Sequence, residues 1–250
     1  MILRVMFSRK WVLTTLLVFA GTAFCARLGI WQLDRLEQRR AFNAQVQSMR
    51  IAETLDLNTN LPADISPMEW RAVTVSGEYD FENQVVLRNQ YHGSEYGYHL
   101  ITPLLFDPST GSGQAAVLVD RGLIPADGND TPSAWRQYDE PGQVTLTGQI
   151  RLGHDKPAFG GVADPEFNPQ QPRLDAWNNL NVERIAAQIP YPILAVYLQP
   201  NVSQDDSLPP IPFQPEVDLT EGSHFGYALQ WFAFAAILFL GYPFYLRKQD

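Results

Sequence analysis

One cysteine, Cys25, stands among 250 residues. A lone thiol forms no intrachain disulfide and excludes both a CxxC redox pair and a thiolate metal cluster. Histidine is scarce as well: His92, His99, His154 and His224 are the whole set. No two of them stand as HxH, HxxxH or HExxH, which argues against a ready-made zinc or copper site. There is no G-x-S-x-G elbow, no P-loop and no G-x-G-x-x-G. The glycine-rich "STGSGQ", Ser109 to Gln114, lies in a short acidic loop rather than before a helix, and reads as a flexible turn. No internal repeat is visible. These absences leave nothing that resembles an enzyme. Basic residues are also few where they would matter for nucleic acid. Residues 29–223 hold 12 Lys plus Arg against 26 Asp plus Glu, a net charge of −14. Nucleic-acid binding requires a basic footprint, and this stretch has the opposite.

Long apolar runs are present, and there are two. "WVLTTLLVFAGTAFCA", Trp11 to Ala26, is uncharged between Arg9–Lys10 and Arg27. "FGYALQWFAFAAILFLGYPFYL", Phe225 to Leu246, is uncharged up to Arg247 and Lys248. The second meets the roughly 20 residues that a bilayer requires. The first reaches that length if Arg27 snorkels to the headgroups and "LGIW" continues the helix. A cleaved signal peptide is the competing reading of the first run. No clean A-x-A site follows it, and bulky Phe24 argues against lipid attachment at Cys25, so a retained anchor is expected. Arg4, Arg9 and Lys10 before the first span, and Arg247 and Lys248 after the second, place both ends in the cytoplasm by the positive-inside rule. The middle then lies outside, in the periplasm of a bacterial cell. The expected division is a cytoplasmic N-terminus (1–10), a first span (11–30), a β-rich periplasmic domain (31–200), a proline-rich linker (201–223), a second span (224–246) and a cytoplasmic C-terminus (247–250).

Leu33, Leu36, Val46 and Met49 recur at near-helical spacing, so a helix leaves the first span or lies along the membrane surface. From Trp70 the period becomes two. "RAVTVSGEY", "QVVLRNQ", "GYHLITPLLF", "AAVLVDRGLIP" and "GQVTLTGQIRL" read as strands separated by turn residues, the last with Val144, Leu146, Gly148 and Ile150 on one face. "NLNVERIAAQI" reads as a helix and "ILAVYLQP" as a further strand. Short strands with one or two helices predict a mostly antiparallel barrel or curled sheet, so the fold class is an α+β membrane protein with two spans flanking a barrel-like domain. Pro200, Pro209, Pro210, Pro212 and Pro215 mark an extended arm back to the membrane. Residues 160–172 form a loop long enough to carry function.

His224 opens the second span. A neutral imidazole there could ligate iron in a low-dielectric setting, or could sit at the boundary as Trp, Tyr and His commonly do. On a helix Ala228 and Trp231 share its face, with Leu238 and Tyr242 further along. Small Ala228 beside large Trp231 leaves room for a flat apolar molecule. Gly21, Cys25 and Gly29 make a small-xxx-small series suited to close helix packing. His92 and His99 flank "GSEYGY" in an expected hairpin and read as surface or half-buried residues.

"LGIWQLDRLEQR", "WRAVTVSGEY", "GYHLITPL", "VLVDRGLIP", "NNLNVERIA" and "HFGYALQWFAFA", in that order, resemble the Surfeit-locus assembly factors of cytochrome c oxidase over nearly the whole chain. Leu123 stands where the family usually has tryptophan, Ala72 where proline is common, and Gln38 and Arg39 replace a Trp-Lys pair. The resemblance implies a non-enzymatic, membrane-anchored factor that helps install haem a in oxidase subunit I, working beside other assembly factors. It implies His224 as the haem-iron ligand, with Tyr227, Trp231 and Phe232 as aromatic neighbours. Arg121 would pair a propionate or, more blandly, hold a neighbouring carboxylate, and Gly122 would serve the turn after a strand. The alternative is a structural chaperone of an oxidase subunit that binds no cofactor.

Overall fold

Beyond Lys10 the first uncharged run folds as a helix that does not stop at the bilayer's edge. The computed structural model describes residues 2–109, 113–157, 160–202 and 208–248. The centre of the glycine-rich loop, part of the proline-rich arm and the last two residues of the expected C-terminal tail lie outside them. The helices are α1 (Ile2–Met6), α2 (Val12–Ile51), α3 (Pro132–Trp135), α4 (Val182–Ala186) and α5 (His224–Arg247). The strands are β1 (Leu55–Asp56), β2 (Ala72–Tyr79), β3 (Val85–His92), β4 (Glu95–Phe106), β5 (Ala115–Pro125), β6 (Gln143–Arg151), β7 (Ala176–Trp177) and β8 (Tyr197–Pro200). The chain divides into two compact units, one of residues 1–45 with 217–250 and one of residues 46–216.

In the helical unit, α2 is one unbroken helix of 40 residues. At 1.5 Å per residue it is about 60 Å long, twice the hydrocarbon thickness, so the polar half continues the span as a stalk. Both α2 and α5 contain windows long and apolar enough to cross a membrane. A stripe on α2, Thr15, Cys25, Gly29, Leu36 and Asn43, is buried. Ala228, Ala235, Tyr242 and Leu246 of α5 are buried as well, and Tyr242 meets Thr15. Gly29 shows why this stripe uses small residues. A Cβ built there would lie 2.6 Å from the Phe232 ring, and one at Gly21 would lie 3.5 Å from Leu238. Helix pairs in lipid associate through such close packing, because apolar area alone gives no preference for protein over lipid tails. The other end has one polar bond: Thr15 Oγ1 donates to the Met6 carbonyl at 2.8 Å, so the 2.6 Å contact with Tyr242 is donated by the tyrosine hydroxyl. Replacing Gly29 by valine is expected to expel the Phe232 ring and loosen the helix pair. Cross-linking of cysteines placed at positions 21 and 238 would fall in the variant; unchanged cross-linking would refute the contact.

In the sheet unit the order is β1-β2-β6-β8-β5-β4-β3-β7, and a further β2–β4 pairing closes β2, β6, β8, β5 and β4 into a small barrel. The long β4 makes the closure possible. Its first half pairs with β3, while Leu104 and Leu105 at its far end pair with Tyr79 and Glu78 of β2. Strand β5 separates two cores. Val117 and Val119 join Val73, Val75, Leu104, Ile150 and Leu198 inside the barrel. Leu118, facing the other way, joins Trp177, Val85 and Ile185 outside it. With both faces covered, β5 has no polar side, as expected for a strand enclosed on both faces.

Short β7 and α4 cover the outer core, and Asn181 caps α4 by accepting the Arg184 N–H at 3.0 Å. The loop of residues 160–172 is tied down by Arg184, which donates to the Pro165 carbonyl, and by Phe167, edge-on to Trp177 at 6.0 Å.

Asp80 shows how the turn after β2 is held. Its Oδ1 accepts the backbone N–H groups of Glu82 and Asn83, and its Oδ2 accepts from Asn83 Nδ2 at 2.7 Å and the Tyr191 hydroxyl at 2.5 Å. Burial alone would raise this carboxyl, but the hydrogen bonds outweigh it and hold it below its ordinary 3.8. A depressed carboxyl contributes stability that is complete above its unfolded value and disappears as pH falls through the folded one. Asp80→Asn is therefore expected to lower stability at neutral pH and to flatten the loss on acidification below about pH 3.8. Urea midpoints measured from pH 6 downward check this; a variant curve parallel to the wild type throughout would contradict it.

Candidate functional site

The site forms within the helical unit, at the head of α5. Gly222, with φ of +67°, turns the incoming chain. Ser223 occupies the N-cap position and His224 is the first helical residue. The segment before it is clamped to α2. Arg39 donates to the carbonyls of Asp218 and Thr220 at 2.6 and 3.1 Å and pairs with the Asp218 carboxylate at 3.2 Å. Arg40 grips both oxygens of Glu221, at 2.8 and 2.9 Å. Asn43 donates to the Leu219 carbonyl at 2.5 Å. The Arg40 fork holds the Glu221 carboxyl below the usual range, through the hydrogen bond before the charge itself. Both ion pairs are solvated, so they act by geometry more than by energy.

One residue of α2 reaches His224 itself: Gln32 Oε1 lies 2.8 Å from His224 Nδ1. An amide oxygen only accepts, so Nδ1 carries the hydrogen and the lone pair belongs to Nε2. Metal-ligating histidines are oriented in this way, one ring nitrogen donating to a fixed acceptor while the other faces the metal. The group that orients His224 was not apparent in the sequence. Its signal is the spacing: Cys25, Gly29, Gln32 and Leu36 fall on one helical stripe, and Gln32 is the polar member among small and apolar ones.

The aromatic neighbours divide. Trp231 and Phe232 are half-buried, with the Phe232 ring packed on Gly29 of α2. The Trp231 ring stands edge-on to Phe234 at 5.9 Å. Tyr227 is exposed on another face. Ala228 is 1 % exposed, so it is covered rather than open to a slot.

Arg121 belongs to the other unit. Its guanidinium donates to Gln84 Oε1 at 3.2 Å, to Glu140 Oε1 at 2.8 Å and to the Tyr138 carbonyl, and it lies over the rings of Tyr79 and Phe81 at 5.0 and 5.4 Å. The carboxylate it holds is therefore Glu140. Burial pushes the Tyr79 phenol up to about 12, with Arg121 pulling the other way. Arg121 is the extra residue of a β-bulge: Leu100 pairs with Gly122 and Ile101 with Asp120, leaving Arg121 unpaired between them. Gly122 takes φ of +113° there, so it serves the bulge within β5 rather than a turn after the strand.

Two helices long and apolar enough to span a membrane, together with a barrel-like α+β domain and a histidine oriented at the head of the second helix, define the class as a membrane protein. The SURF1 family model matches residues 19–236. The chain belongs to the SURF1 family. It is similar to a SURF1-like protein of Monosiga brevicollis, 27% identical over 234 residues that cover 88% of this chain and 83% of that one. It is also similar to Surfeit locus protein 1 of Arabidopsis thaliana, 23% identical over 93% of this chain and 77% of the plant protein. An uncharacterised SURF1-like protein of Mycobacterium tuberculosis is 27% identical, over 94% of this chain and 83% of its own.

Proposed function

We propose that this protein is an assembly factor for cytochrome c oxidase, not an enzyme, and that it holds haem a at His224 as cargo on its way to subunit I. Family membership supports the role in oxidase assembly. The observation that carries the cofactor reading is the Gln32–His224 bond, which occupies Nδ1 and leaves Nε2 as the ring nitrogen with the lone pair. The donor set suits an iron porphyrin: an oriented imidazole at an apolar boundary, with Trp231 and Tyr227 within one or two turns. Bound haem supplies the iron that the imidazole ligates. The chain's own residues orient that ring and keep the second span in register beneath it. In this reading Arg121 is a structural residue of the barrel, committed to Glu140.

The net charge of −14 over residues 29–223 suits attraction to a basic partner face. The basic residues flanking the two spans support a topology with the termini in the cytoplasm and the barrel in the periplasm of a bacterial inner membrane. The test is a deletion strain. Its oxidase is expected to accumulate with reduced haem a, restored by the wild-type chain; full haem a content in the deletion strain would refute the role.

A further inference from the structure

The sheet unit contains a cavity of about 400 Å³ of its own, a size typical of small-molecule sites. Three of its lining side chains are polar and nearly inaccessible, His99 at 3 % and Asp120 and Gln199 at 4 % exposure each. The His99 ring is fixed: Nδ1 lies 3.0 Å from Asp120 Oδ2, and Asp120 Oδ1 accepts the Gly122 N–H at 3.2 Å. A carboxylate can only accept, so Nδ1 carries the hydrogen and Nε2 is the polar atom the ring has left. The Gln199 amide oxygen accepts from Arg151 Nη1 at 3.1 Å, which leaves its NH₂ as a donor. Lys156 stands on the same wall, exposed, and makes no ion pair among the described residues. Leu87, Leu180 and Phe213 give the wall an apolar stretch, beside the polar Gln90, His154, Asn178 and Asn179.

Phe213 arrives on the arm after β8. Backbone bonds of 2.8 and 2.9 Å between Leu123 and Ile211 fix that arm on β5, and the Phe213 ring stands edge-on to His99 at 6.1 Å. The arm therefore builds one side of the chamber.

A buried imidazole–carboxylate pair and a buried amide lining a cavity are costly compared with apolar side chains in their place. Packing alone does not account for them. No cluster of three metal-ligating side chains occurs among the described residues, so a metal ion lacks the ligands it needs here. With both Asp120 oxygens engaged by His99 and Gly122, the cavity offers Lys156 and the Gln199 amide as donors and His99 Nε2 as an acceptor, beside the apolar stretch. We propose that this cavity binds a small hydroxy acid with an apolar body. The carboxylate is taken by Lys156 and the Gln199 NH₂, the hydroxyl donates to His99 Nε2, and the body lies against Leu87, Leu180 and Phe213. The site is independent of the haem reading and stands or falls apart from it.

The test is calorimetric titration of the full chain in detergent with three probes: 4-hydroxyphenylacetate, 4-methylphenylacetate, which lacks the hydroxyl, and 4-hydroxyphenethyl alcohol, which lacks the carboxylate. Saturable one-to-one binding of 4-hydroxyphenylacetate is expected, about tenfold tighter than either analogue. Lys156→Ala, at an exposed position that leaves the core intact, is expected to weaken the two acids about tenfold and leave the alcohol unchanged. Failure of the hydroxy acid to saturate at millimolar concentration would overturn the proposal. So would equal affinity for all three probes, or equal affinity of Lys156→Ala and the wild type for the acids.

Discussion

A strain carrying His224→Ala as its only copy is expected to assemble oxidase with haem a reduced to near the deletion level, because the substitution removes the one imidazole at the head of the second span. Gln32→Leu separates ligation from folding. It keeps the side-chain volume and the helix pairing but frees the ring. Loss of an orienting partner at a metal-ligating histidine weakens binding by about 10- to 100-fold. Haem titration of the purified variants checks the order: wild type tightest, Gln32→Leu intermediate, His224→Ala without a saturable site. Equal affinity of wild type and Gln32→Leu would mean that the 2.8 Å bond has no bearing on ligation.

Gly122→Val is expected to be the most destabilising single change in the barrel. Its φ of +113° excludes a branched side chain, and a Cβ there would lie 2.1 Å from the Ile211 carbonyl oxygen and 2.6 Å from Pro212 N. The arm would have to leave the strand, breaking both backbone bonds between Leu123 and Ile211. Backbone strain of about 1–3 kcal/mol and two lost hydrogen bonds at about 1 kcal/mol each give about 3–5 kcal/mol in total. For a domain of this size that lowers Tm by about 10 °C. Gly93→Ala is the control. Gly93 also has positive φ, +61°, but a Cβ there meets nothing within 4 Å, so only the backbone penalty of about 1 kcal/mol applies. Thermal melts followed by circular dichroism distinguish the two. A Gly122→Val domain that melts with Gly93→Ala would show that the arm is not held where the structure has it.

Much of the barrel was legible because half-buried strands alternate. In β2, Val73 and Val75 face the core while Thr74 and Ser76 face outward, and the sequence has that period. In β6, Val144, Leu146 and Ile150 do the same. Strand β5 was readable by length and turn residues alone, since both its faces are buried. The expected strand "ILAVYLQP" shrinks to Tyr197–Pro200. Its first residues approach the barrel through the Leu194 N–H, which bonds the Ala116 carbonyl at 2.9 Å. The two-residue strands β1 and β7 carry no periodicity to read and exist only through parallel pairing with β2 and β3.

The sites were less legible, because each depends on a partner far away in sequence. His99 was expected at or near the surface, beside a hairpin tip. It is buried because the β4–β5 register and its bulge bring in Asp120. One residue of slip would separate them, and no local pattern reports such a register. Gln32 and His224 are 192 positions apart and meet only because the two spans pack side by side. The small-residue series on the first span pointed to that packing, although not to the residue that touches the histidine. Arg39 read only as a departure from a family motif. The function of Arg39 and Arg40 as a clamp on residues 218–221 depends on the returning arm.

The claim on which most of this rests is that His224 is a cofactor ligand and not only a boundary residue. The most direct measurement is the visible spectrum of the wild-type protein and of His224→Ala, each purified in mild detergent from cells that make haem a. The account predicts a haem a spectrum in the wild type that is lost or shifted in the variant. Preparations that both lack haem while oxidase subunits still co-purify would contradict it, and would make the head of α5 a docking surface for a subunit.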